Sequence, residues 1–372
     1  MLKRKENLKY EDFVVEYKIN SYDKLLSFFQ ENDENPDLRE NYIFRGVSDY
    51  SYELIPSALR KYEDGNYKIN DYINNNDFNL LLNTKMEYQN EDGTKGKGLV
   101  SCGIDKNNVI SNEIPDRTVF SLDEVQFKRE ISVLLHFLDY SDKVGLKIFA
   151  DSSIRKWIHS YLAYENKFYE TWPKEEFYEI ISLAQHHGLP TRALDWSYDY
   201  KVSLYFAIEK VLKEEKKYED CVLWAFNYKL FENNHIMESD IYEDFVIYRP
   251  KYNSNSNLKS QKGLFTFIVS KKYDNMDKEE SFDKFIINKL INSVDESNKE
   301  LYFKLDGFKK FKIPDNVKIF YKFIISGNIK AEILYNLYLD GYGTEEIYPN
   351  YDGVVDSIKN RVKLENILNQ NK

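Results

Sequence analysis

Three stretches of this sequence, Val222 to Tyr228, Leu264 to Val269 and Ile319 to Ile325, carry apolar side chains on both of the faces a strand would present. A strand with one wet face alternates polar and apolar residues, so these runs read as strands covered on both sides, or mostly so. Helices must supply that cover, and the expected class is α+β, a mixed β-sheet core with flanking helices. Of 372 residues, 42% are apolar. That suffices for one large core or two modest ones and excludes disorder throughout.

The segments between the runs supply the helices. Ser21 can accept a hydrogen bond from a helix N-terminal amide ahead of Leu25, Leu26, Phe28 and Phe29, which recur at helical spacing. After the polar loop Glu31 to Pro36, Tyr42-Ile43-Phe44 is a short strand that runs directly into Arg45-Gly46. A helical stripe starts at Leu122 and continues through Val125, Ile131, Leu134, Leu135 and Leu138. Another helix is expected from Trp172 to His186, stopped by Gly188 and followed by Pro190. A strand from Arg192 to Trp196 and a helix carrying Val202, Tyr205, Phe206, Glu209 and Leu212 come next. The helix Lys330 to Leu339 ends at Gly341, and Val355, Ile358 and Val362 form a last helical stripe.

From about residue 63 to 122 the composition shifts to Asn, Asp, Lys and Gly. So few apolar side chains cannot offset the entropy of ordering, and the stretch reads as a polar insertion or mobile loop. The expected organisation is one domain over residues 8–360 containing that insertion, with 361–372 as a C-terminal tail.

Several function classes are disfavoured. The formal charge of −10, from 62 acidic and 52 basic side chains, argues against broad affinity for nucleic-acid backbone. Cys102 and Cys221 belong to no Cys pair or Cys/His cluster of zinc-ligand spacing, so neither a disulfide framework nor a metal is expected. No run approaches the roughly 20 apolar residues of a membrane span, and the N-terminal residues do not read as a secretory signal. The expectation is a cytoplasmic protein without a membrane partner.

The densest cluster of chemistry-bearing residues is Gln185-His186-His187-Gly188-Leu189-Pro190-Thr191-Arg192-Ala193-Leu194-Asp195-Trp196-Ser197. Sites concentrate on such turns. His187 is a candidate for a direct role and His186 a weaker one, while Arg192 can equally pair with Asp195 to hold the strand. Arg45, at the mouth of an apolar strand, can hold a phosphate or carboxylate through paired hydrogen bonds, or pair with Asp195 or Glu130. Gly46 beside it allows a backbone or a ligand to come close.

Phe44-Arg45-Gly46, Leu54-Ile55-Pro56-Ser57 with Arg60, Glu130, the Gln185-to-Trp196 run, Tyr205-Phe206-Ala207, Gln261-x-Gly263-x-Phe265 and Tyr348-Pro349-x-x-Asp352-Gly353 together resemble the FRG domain. Ala193 stands where that family commonly has Leu, and Ser197 where it has Thr. The order of elements is similar to an ADP-ribosyltransferase-like fold: a strand ending in Arg, a second strand followed by a helix, and a third strand opened by Gln261. The resemblance implies an NAD-dependent toxin in antiphage defence, with NAD as substrate, a protein or nucleic-acid target and a phage-derived trigger. Arg45, Gly46, Arg192 and Gln261 would then bind NAD, and His187, Asp195 and Glu130 would be catalytic. The transferase loop usually ends in Glu, where this chain reads Gln261-Lys262-Gly263, so Asp195, Glu130 or Asp352 would have to supply the carboxylate. A sensor module that binds a nucleotide or a phage component without turnover, and a nuclease or other hydrolase using His187 as base with Asp195 orienting it, are the alternatives.

Overall fold

The computed structural model describes residues 8–30, 38–73, 85–89, 95–99, 104–105, 108–109, 122–148, 152, 154–156, 171–212, 219–232, 245–252, 256–271, 280–292, 302–304, 310–312 and 318–370. The three apolar runs are strands of one seven-stranded sheet. Along the chain its strands are β1 Val14–Ile19, β2 Ile43–Val47, β3 Ala193–Ser197, β4 Cys221–Phe226, β5 Phe245–Tyr248, β6 Gly263–Ile268 and β7 Phe320–Ile325. Their spatial order is β1-β7-β4-β2-β3-β6-β5. The edge pair β1 and β7 is parallel and the other pairs are antiparallel, so the sheet is mixed. Every residue of β4 is buried, and every residue of β6 except the last. β7, one strand in from the edge, leaves Tyr321, Lys322 and Ile324 partly open.

The main helices are α1 Tyr22–Ser27, α2 Leu122–Lys143, α3 Glu175–His186, α4 Tyr200–Ile208, α5 Phe282–Asn292, α6 Lys330–Leu339 and α7 Tyr351–Gln370. Ser21 caps α1, its Oγ accepting from the Lys24 amide at 3.3 Å. α3 starts three residues later than the apolar spacing suggests. Pro173 keeps Trp172 away from helical backbone angles, and Thr171–Trp172 instead pairs with Ser270–Lys271 as a short strand.

Strand alternation sorts the sheet's side chains into two faces. On one, Ile43, Val47, Leu194, Trp196, Trp224 and Phe226 pack with Phe282, Ile286 and Leu290 of α5. The other face is covered by two separate helical groups. Over Phe44, Leu223, Ala225 and Phe323 lie α1, α4 and α6. Over Ala193, Phe265 and Phe267 lie α2 and α3. The two groups part above Asp195 and Ser197, and a cleft opens there.

Leu364 of α7 is buried in the same core as α4 and α6, so the helix crosses residue 360 without interruption. Residues 361–370 are part of the domain rather than a tail. Within the expected insertion, Ile69 and Ile73 are buried, and Lys85–Gln89 pairs with Lys95–Leu99, as Ile104–Asp105 does with Asn108–Val109. Residues 74–84, 90–94, 100–103, 106–107 and 110–121 of that stretch, Cys102 among them, lie outside the described residues.

α4 sits hard against β2. A Cβ on Gly46 would lie 1.8 Å from the Ser203 carbonyl oxygen and 2.6 Å from the Ala207 nitrogen. Ser203 Oγ donates to the Phe44 carbonyl at 2.8 Å and fixes the same contact. The space that the sequence left open to a backbone or a cofactor is therefore filled by helix backbone. Gly46→Ala should lower the free energy of unfolding by about 1–3 kcal/mol through overpacking. Urea denaturation measures this, and an unchanged midpoint would contradict the packing.

Candidate functional site

β2 and β3 pair at one position, Phe44 with Ser197, although β2 pairs with β4 along its whole length. Past that point the strands separate, and no β2 amide reaches the carbonyl of Asp195. Arg45 spans the opening. Its Nη1 donates to the Asp195 carbonyl oxygen at 2.6 Å and forms an ion pair with Asp195 Oδ1 at 2.5 Å. By alternation Arg45 belongs with Ile43 and Val47 on one face of the sheet, and Asp195 with Ala193 and Ser197 on the other. They meet because the ladder between the two strands has ended.

The opening is the floor of a cleft of about 320 Å³. Gln185, His186 and His187, from the end of α3, form one wall, and Ser203 and Phe206 of α4 form the opposite one. Asn257, Gln261 and Tyr348 close the far end. Gly188, at φ +86°, turns the chain out of α3 and back toward β3. The turn is pinned at Gln185, whose Oε1 accepts from Thr191 Oγ1 at 2.7 Å and from Ser57 Oγ at 3.1 Å. Its Nε2 has no partner among the described residues. Ser197 Oγ donates to the Gln261 carbonyl at 2.7 Å and accepts from the Asp199 amide at 2.9 Å, which ties the end of β3 to the turn before β6.

The charges in the cleft are set by position. Burial among the cleft walls opposes ionisation of Asp195, but the adjacent Arg45 charge and hydrogen bond, with Arg60 farther off, outweigh it. The carboxyl is held below its ordinary range, and its side chain, 52% exposed, still meets solvent, while that of Arg45 is 12% exposed. Arg60 is anchored by its Nε, which donates to the Ile55 carbonyl at 2.9 Å. Burial lowers the pKa of His186, neighbouring His187 lowers it further, and Asp195 opposes them. His186 is therefore neutral at pH 7, and its ring meets that of His187 edge to face, with centroids 5.3 Å apart.

The cleft thus gathers Arg45, Gly46, His187, Asp195 and Gln261 from the residues marked in the sequence. Glu130 and Arg192 are elsewhere. Both are buried, and Arg192 donates to Glu130 through Nε at 3.0 Å and Nη2 at 2.5 Å. Trp172 Nε1 at 2.8 Å and Gln126 Nε2 at 3.0 Å complete the carboxylate's shell. Four donors leave Glu130 nothing for a substrate and bind Arg192 to a structural partner, so neither lines the cleft. Asp352 lines a neighbouring cavity that shares Tyr348 with the cleft. His186, given less weight than His187 from sequence, lies deeper of the two. Gln185, Phe206 and Tyr348 sit in motifs the sequence displays, but nothing in their spacing marks them as cleft residues. Among the described residues no group of His, Cys, Asp or Glu is arranged to hold a metal ion.

Glu130→Ala should cost about 3–5 kcal/mol, because it strands the Arg192 charge in the core; chemical denaturation measures the loss. His186 should titrate below 6.5 by NMR, and Asp195→Asn should lower its pKa further by removing the one charge that raises it. The sign for stability follows. A depressed folded-state pKa gives a contribution that is complete above the unfolded value of 6.5 and is lost as pH falls through the folded one. A His186 pKa above 6.5 would contradict the site's electrostatics.

The FRG domain family matches residues 137–216, a span that contains α3, β3 and α4. No curated protein and no solved structure matches the chain. The segment that builds both walls of the cleft and the Asp195 side of its floor is the one that matches the FRG domain, which the chain carries at residues 137–216.

Proposed function

We propose that the cleft binds NAD and that the protein is an ADP-ribosyltransferase-like enzyme, a toxin of antiphage defence acting on a protein or nucleic-acid target after a phage-derived trigger. The observation that carries this reading is the convergence of Arg45, Asp195, the two histidines and Gln261 on one cleft where the sheet opens. Arg45 uses Nη1 for both of its contacts with Asp195. Its Nε and Nη2 have no partner among the described residues, and this edge of the guanidinium suits two oxygens of a pyrophosphate. Phe206 and Tyr348 offer apolar rings, with centroids 6.3 Å apart, to a nicotinamide or adenine.

In the proposed reaction the bond between the ribose anomeric carbon and the nicotinamide nitrogen breaks. Nicotinamide leaves with the bonding pair as a neutral molecule. The positive charge left on the ribosyl carbon is stabilised by the Asp195 carboxylate, which takes the part of the glutamate that Gly263 lacks. The acceptor then bonds to that carbon and gives its proton to neutral His186.

Gly263 itself favours a second reading, a module that binds the nucleotide without turnover. Calorimetry with NAD and chromatographic assay of nicotinamide separate the two. On the transferase reading Arg45→Ala weakens NAD binding by about 10- to 100-fold. Asp195→Asn leaves binding within a few-fold and cuts nicotinamide release by about 10²–10³. NAD binding without release by the wild type in the presence of its trigger and target supports the second reading, and no NAD binding at all removes both.

A further inference from the structure

The last helix, α7, has two faces of unusual character. Toward the domain it buries Gly353, Ser357 and Leu364. Away from the domain, where a solvated helix is polar, it carries Tyr351 at 92% exposure, Val354 at 47%, Val355 at 49%, Ile358 at 63% and Val362 at 57%. Polar residues flank this stripe but do not interrupt it. An uninterrupted exposed apolar stripe marks an interaction surface rather than scattered surface residues.

We propose that α7 pairs with α7 of a second copy of this chain, as an antiparallel two-helix seam. Tyr351, Val355, Ile358 and Val362 follow one another at the alternating four- and three-residue steps of a coiled-coil seam, with β-branched valines at every second position. A two-fold interface must be complementary to itself. With the axis between Val355 and Ile358, bulky Tyr351 faces the smaller Val362 of the second copy, and Val355 faces Ile358. The same register brings Asp352 beside Lys359 of the second copy, on both sides of the axis. A parallel pairing would set Lys359 against Val354 and leave both charges without a counterpart. Within the chain Lys359 meets Asp356 at 3.5 Å, an exposed pair weak enough to exchange. Asp352 and Lys359 also line the cavity that shares Tyr348 with the cleft, so the second copy's helix would stand at that cavity's rim.

Sedimentation of the full chain across a micromolar concentration series tests this. The expected species has twice the 44.4 kDa chain mass. Ile358→Glu should raise the dimer dissociation constant by roughly tenfold or more, since it places an unpaired charge in the seam. Asp352→Lys and Lys359→Asp should each weaken the dimer, and the double variant should restore it, a rescue that a folding defect would not give. A wild-type chain that stays monomeric throughout, whether or not another protein binds the stripe, overturns the proposal. So does a dimer indifferent to Ile358→Glu, or a double variant no tighter than the single ones.

Discussion

The ion pair between Arg45 and Asp195 stands where the sheet's own hydrogen bonding stops. A strand carbonyl left without a ladder partner inside a protein is costly, and the guanidinium satisfies it while pairing with the carboxylate of the same residue. One side chain therefore joins two halves of the sheet that backbone bonds join at Phe44 and Ser197 alone. The consequences run outward from there. The separation of β2 from β3 gives the cleft a floor, and the parting of the two helical groups gives it walls. The carboxylate stays ionised in a place where burial alone would favour its neutral form.

The rigidity of that arrangement comes from a second arginine. Arg192, three residues before Asp195, is locked to Glu130 of α2, and Trp172 shares the same carboxylate. Two Arg–carboxylate pairs thus hold the segment at its two ends, one within the core and one at the solvent's edge. In the buried pair Glu130 accepts from four donors and fixes the start of β3, and the open pair keeps donors in reserve. Gly46 and Ser203 hold α4 against β2 on the opposite wall, so the cleft's dimensions are set by backbone contact as well as by side chains.

Much of this was legible in the sequence. Apolar runs on both faces announced central strands, and Gly188 with Pro190 announced the turn that ends α3. Arg45 at a strand end and the polar turn beside it were evident without any structure. Which arginine pairs with which carboxylate was not, because Arg45 and Glu130 lie far in sequence from each other and from the segment that carries both Arg192 and Asp195, and all four pairings satisfy the same charge rule. The register of β2 on β3 decides it, and register is a property of the folded sheet. Gly46 shows the same limit: the missing Cβ was visible, but whether a ligand or a helix fills its place depended on where α4 packs. Gly263 is likewise in view from the start, and its meaning rests on Asp195 lying in the same cleft.

The claim on which the rest turns is that the gap spanned by Arg45 is a ligand site. A crystal structure of the protein with ADP-ribose tests it most directly. The account predicts the pyrophosphate on Nε and Nη2 of Arg45, the distal ribose beside Asp195 and His186, and a ring against Phe206 or Tyr348. ADP-ribose bound elsewhere, with the Arg45–Asp195 pair untouched and the cleft empty, would contradict it.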